Sequence, residues 1–231
     1  MDDASAFPAP EAPGLLPPPP ALVPFEDEGI PGFWARVGGM FQLLFSEPLA
    51  LFERVPRGDK FGPPWRFLLL LSVPAFLLLG LIFGAFGFAA LVGALADRGA
   101  DTKFLAILPA VFLVILALLP VLLFVGMLVG GALDHFFLWI WGGLKDGEAL
   151  ESTIRAVGYA NAFIQLGAWI PYLGFLVQLA GRIWLGAGLA RMHRTQTWRG
   201  ICAVLTPLFL LCGCLFLLLL CLPLALLAAR S

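Results

Sequence analysis

Two small groups of polar residues interrupt an otherwise apolar sequence, and both have types and spacing that chemistry can use. Asp134 and His135 sit side by side in "DHFFLWIWGG", near the end of the apolar run Phe104–Trp141. Joined by His193, the other histidine of the chain, they would offer one carboxylate and two imidazoles, a set that a transition metal accepts. No short ligand spacing ties the three together, so no metal is assigned. The plainer reading makes Asp134 and His135 a hydrated interface pair where a helix leaves a bilayer. Phe136, Phe137, Trp139 and Trp141 would follow at headgroup depth.

The second group is Asn161, Gln165, Gln178 and Arg182. Asn161 and Gln165 lie four residues apart, as do Gln178 and Arg182, and side chains four apart share a helix face. Both cross-pairs, 161 with 182 and 165 with 178, centre on Pro171–Tyr172. An antiparallel helical hairpin turning there would set Arg182 level with Asn161 and Gln178 level with Gln165. A guanidinium inside a span is costly and normally faces the bundle interior, where amide oxygens can accept from it. The four residues are therefore expected to form a polar intramembrane seam, either as glue between helices or as the lining of a ligand pocket.

Patterns that would signal catalysis are missing. The sequence holds no Gly-x-Ser-x-Gly, no His-Glu-x-x-His and no phosphate-cradling glycine loop ahead of a lysine. Ser72 and Thr206 have no adjacent base, and no Asp or Glu falls deep in an expected span. These absences give an enzyme the least support, weaken a proton-coupled transporter and assign no cofactor. A net charge of −1 provides no field to recruit nucleic acid.

The elements that must position these groups follow from composition. The 231 residues are 61% hydrophobic and 13% charged, about half the charge of an ordinary soluble domain. The expected fold is all-α, a polytopic membrane helical bundle with five transmembrane helices. Apolar length places the spans at about 67–95, 104–133, 156–170, 173–190 and 201–229. The 38 apolar residues 104–141 exceed one crossing, since at ~1.5 Å each they reach roughly 57 Å. Pro109, Pro120 and the Gly126–Gly130 step are the bending candidates there, and Gly80–Gly84 is a second small-residue face. Either glycine face can pack helices within one chain or between copies in a homo-oligomer.

Ahead of the spans, residues 1–32 hold nine prolines, six acids and no Lys or Arg. They read as a disordered acidic tail, with a docking site for a proline-reading module as the alternative. Residues 33–56 show helical spacing broken by charge and by Pro48, and read as an interfacial amphipathic helix. Cys202, Cys212, Cys214 and Cys221 fall in or beside the last apolar run, which suits packing better than disulfides or zinc. Lipidation of Cys202 is a minor alternative. With the N-terminus inside, ten Lys and Arg face the cytoplasm and three face out, the sense of the positive-inside rule. The N-terminus is therefore placed in the cytoplasm and the C-terminus outside.

From Phe33 onward the order of features resembles the Yip1 family of five-span membrane proteins. The likeness is carried by "F-x-x-L-F-S-E-P" at 41–48 and by Thr153, Arg155 and Tyr159. Ile170-Pro171 and Gly174 follow, then Trp184, Gly188-Leu189 and His193. Two departures stand out: "ANAF" after Tyr159 lacks a proline the family often has there, and eukaryotic signatures in the central spans are absent. The chain is more similar to bacterial-type members, which implies a bacterial cytoplasmic membrane. For such members the resemblance implies a fold and a topology and carries over no catalytic residues; the leading reading is a non-enzymatic, membrane-organising or protein-interaction component. Membrane lipids and a protein partner on the cytoplasmic face are the expected partners. The alternative is a small-solute or lipid transporter or channel subunit using the polar seam.

Overall fold

The computed structural model describes residues 22–58, 60–96, 103–144, 149–168 and 174–228. Among them the chain is all-helical: α1 (Phe33–Ser46), α2 (Ala50–Arg54), α3 (Gly62–Ala96), α4 (Lys103–Ile140), α5 (Leu150–Ala168), α6 (Gly174–Met192) and α7 (Thr197–Ala228). The sequence expectations for residues 1–21, the loop 97–102, the connector 145–148, the hairpin turn 169–173 and the end 229–231 lie outside the described residues.

Among the described residues three stretches are long and apolar enough to cross a membrane: Gly62–Ile82, Val111–Ile140 and Thr197–Leu219. Large apolar side chains cover their outer surfaces, among them Leu81, Leu113, Val121, Phe209, Leu211 and Leu219. A soluble surface rarely carries so large an apolar patch, whereas lipid tails accept it. α4 is one unbroken helix of 38 residues through Pro109, Pro120 and Gly126. At about 57 Å it exceeds a ~30 Å hydrocarbon core, so part of it must stand beyond the hydrocarbon.

α5 sits at the centre, packed on α3, α4 and α6. Helices meet here through glycines, because small residues let backbones approach closely. A Cβ at Gly131 of α4 would lie 2.7 Å from the Ile154 Cα of α5. One at Gly181 of α6 would lie 2.6 Å from Ile164 of α5, and one at Gly186 would strike the Ile201 backbone of α7. The two glycine faces singled out from sequence fare differently. Gly80 receives the Phe112 ring, while nothing among the described residues comes within 4 Å of a Cβ at Gly84, Gly126 or Gly130.

Successive long helices alternate in direction, so one end of the bundle gathers the start of α3, the end of α4, the start of α5, the end of α6 and the start of α7. Residues 22–58 lie across that end. The helix stops at Ser46 and resumes at Ala50 around Pro48. The Phe52 ring of α2 sits on Gly188 of α6, Trp184 Nε1 donates to Pro48 O at 3.3 Å, and Arg191 pairs with Glu53 at 2.5 Å.

One expectation needs correction here. Residues 22–32 are not a disordered tail. Val23 is fully buried, Phe25 packs on Phe67 with ring centroids 5.0 Å apart, and Glu26 N donates to Val23 O at 2.8 Å to close a turn. The proline-rich composition led to the wrong reading because it averages over the window. Two apolar side chains and one acid suffice to anchor the last third of it.

Candidate functional site

The first turns of α5 carry several of the buried polar groups. Ser152 Oγ donates back to Ala149 O at 2.7 Å where the helix begins. Thr153, Arg155 and Tyr159 then project into the interior, and all three are almost wholly buried.

Arg155 and Tyr159 are four residues apart and share a face. Both reach Glu26. Arg155 Nη2 donates to the two Glu26 oxygens at 2.5 and 2.6 Å, and Tyr159 OH donates to Oε1 at 2.6 Å. The Arg155 side chain is 2% exposed and that of Glu26 12%. Charge-assisted bonds are among the stronger ones, and a buried charge stripped of its partner is expensive. The acid of the N-terminal segment is therefore a fastener, holding residues 22–58 onto the bundle across 129 positions of sequence.

Thr153 makes the second connection. Its Oγ1 lies 2.9 Å from His135 Nδ1 of α4 and 2.9 Å from His193 Nε2 at the end of α6. A hydroxyl carries one donor and two lone pairs, so it can donate to one ring and accept from the other, or accept from both. A hydroxyl beside an imidazole is also a nucleophile–base pattern. Here, however, the hydroxyl is fully buried. Neither of two cavities at this end, of about 430 and 770 Å³, is lined by Thr153, His135 or His193. The arrangement ties three helices together.

Asp134 turns the other way. It is 2% exposed and pairs with Arg182 of α6 at 3.8 Å, a charge contact too long for a hydrogen bond. The reading of Asp134 and His135 as a hydrated helix-end pair is thus corrected. Adjacent residues on a helix point about 100° apart, so Asp134 faces α6 and His135 faces α5, both within the bundle. The exposed Phe136, Trp139 and Trp141 do face outward. The metal alternative loses its carboxylate, since the two imidazoles meet at Thr153 while Asp134 points to Arg182. Among the described residues no group of three metal-ligating side chains gathers.

The seam residues Asn161, Gln165, Gln178 and Arg182 are all half-buried on α5 and α6. These helices are antiparallel neighbours, with Ile164 against Gly181 and Val177 against Gly167. Arg182 takes its partner from α4, however, and among the described residues no hydrogen bond joins it to Asn161.

Glu26 is the residue that sequence reasoning missed. A signal was present: Arg155 and Tyr159 four apart on one face called for an acid, and three acids follow Phe25 at 26–28. Comparison with known proteins adds nothing further, since no family model, curated protein or solved structure matches the chain. Among the described residues the fold and the cluster define an all-helical protein with three membrane-length apolar helices and with residues 22–58 pinned across one end.

Proposed function

We propose that the chain is a non-enzymatic integral membrane protein of Yip1 type that crosses the bilayer five times. It acts as a membrane-organising or protein-interaction component through the face built by residues 22–58. α5 and α6 provide two crossings beside the three long helices. Each has 19 residues, or about 29 Å against a ~30 Å hydrocarbon core. The end that holds residues 22–58 faces the cytoplasm of a bacterial inner membrane, and the C-terminus lies opposite. Arg36, Arg54, Lys60, Arg66, Arg191 and Arg199 at that end support this orientation.

The observation that carries the interaction reading is the outer face of α1. Val37, Met40 and Leu43 are buried against the bundle, yet Trp34 is 74% and Phe45 81% exposed. They are eleven residues apart, three turns, and so share a face. Two exposed rings on one face of a helix fastened through Glu26, with Gly38 and Gln42 between them, suit an interfacial anchor, and aromatic residues are favoured at interfaces. The test is purification in mild detergent of the wild type and of Trp34→Ala/Phe45→Ala. A specific protein partner kept by the first and lost by the second, with unchanged thermal stability, is the expected result. A partner kept equally by both would refute this use of α1.

A second reading rests on the buried Asp134–Arg182 pair. Charges inside a bundle commonly mark solute pathways, so a transporter or channel subunit remains the alternative. Solute flux into liposomes that disappears in Arg182→Leu would favour it.

A further inference from the structure

A groove of about 770 Å³ runs along the first turns of α3, closed on its other side by residues of the 25–36 segment. Its polar lining is Arg36, Lys60 and Arg66 with Glu26 and Glu28. Glu26 is already neutralised by Arg155 at 2.5 Å, which among the described lining residues leaves three cations against one carboxylate. Arg36 is held in place because its Nε donates to Ile30 O at 3.0 Å. Beyond Arg66 the lining turns apolar, through Leu69, Leu70 and Val73.

The apolar part has a direction. Residues 66, 70, 73, 77 and 81 recur at helical spacing on α3 and so form one stripe. Leu77 and Leu81 are exposed, and the stripe runs into Gly62–Ile82, one of the three membrane-length stretches. A cationic mouth thus opens onto an apolar track that continues into the helix's lipid-facing surface. A free anion would use the mouth and ignore the track; a peptide strand or helix would not call for three converging cations. An acidic headgroup with an acyl chain uses both.

We propose that this groove binds one anionic phospholipid. Its phosphate sits among Arg36, Lys60 and Arg66, its headgroup hydroxyls reach Glu28, and one acyl chain lies along Leu70, Val73 and Leu77. The proposal rests on the reading of the chain as a membrane protein. It adds a defined lipid site between α3 and the N-terminal segment, so that the lipid helps seat residues 22–58.

The test is native mass spectrometry of the full chain in mild detergent, titrated with phosphatidylglycerol or phosphatidylcholine. Phosphatidylglycerol is expected to bind preferentially at one molecule per chain. Lys60→Ala/Arg66→Ala removes two exposed cations and is expected to weaken it about 25-fold, fivefold for each, from ~1 kcal/mol per basic residue. Arg194→Ala/Arg199→Ala removes two cations from the other cavity at this end and is expected to change binding less than twofold. Equal loss in both variants would show diffuse attraction and overturn the site, as would equal binding of the two lipids. Competition by glycerol phosphate as effective as by the intact lipid would overturn the role of the acyl track. Alkaline carbonate extraction separates the two levels. A chain released by carbonate would refute the membrane reading itself, whereas a retained chain without lipid preference would refute the groove alone.

Discussion

Replacing Glu26 by Gln leaves the Arg155 guanidinium, 2% exposed, facing a neutral amide. Removing one partner of a buried ion pair typically costs about 3–5 kcal/mol. The Gln carbonyl still accepts one hydrogen bond, worth about 1 kcal/mol, so a net cost of about 2–4 kcal/mol is expected. This cost falls on the docking of residues 22–58 rather than on the whole bundle, because α3 to α7 pack on one another independently of Glu26. Docking should weaken by about 30- to 700-fold at 1.4 kcal/mol per decade. Hydrogen exchange in detergent reads this directly, since local opening sets exchange rates. The reporters are the amide of Glu26, bonded to Val23 O at 2.8 Å, and that of Ile30, bonded to Asp27 O at 3.2 Å. Both should exchange faster by that factor while amides within α5 stay slow. Tyr159→Phe removes one bond to the same carboxylate and should give a smaller effect, about 1–2 kcal/mol. Adding Arg155→Met to Glu26→Gln removes the orphaned charge, so the double variant should be less damaged than the sum of the singles. Unchanged exchange in Glu26→Gln, or strict additivity in the double, would refute the account of a fastening ion pair.

Three further outcomes follow from the packing. Thr153→Val keeps the shape but removes the hydroxyl that both His135 and His193 contact at 2.9 Å; thermal unfolding in detergent should show a loss of about 2–4 kcal/mol, with Thr153→Ser close to wild type. Gly188→Ala places a methyl 2.1 Å from the Phe52 ring, and overpacking of this kind costs about 1–3 kcal/mol. Pairing it with Phe52→Leu should recover part of the loss, while Gly126→Ala, with no neighbour within 4 Å among the described residues, should be neutral or stabilising by up to ~1 kcal/mol. Arg182→Leu strands the buried Asp134 carboxylate, and denaturation should show a loss of about 1–2 kcal/mol, reduced from the usual cost of a broken buried pair because Arg182 is 32% exposed; adding Asp134→Asn should restore most of it.

The all-helical class and the apolar runs behind the three membrane-length stretches were legible in the sequence, because apolar length is a local property that any window of twenty residues reports. Pro48 marked the break between α1 and α2 for an equally local reason, its missing N–H and fixed φ. The partners of the buried polar groups were a different matter. α3, α4 and α7 carry apolar residues all round, so their periodicity does not say which face turns inward. Whether Asp134 meets water or Arg182, and whether Arg182 meets Asn161 or Asp134, depends on rotations about helix axes that only packing fixes. Gly80, Gly84, Gly126 and Gly130 were readable as close-contact candidates, yet which of them touch a neighbour depends on those same rotations: among the described residues Gly80 does, and Gly84, Gly126 and Gly130 do not. Glu26 was hidden for the strongest reason. Its partner lies 129 residues away, and a pairing at that separation leaves no spacing in the chain, only a tertiary contact that folding must close.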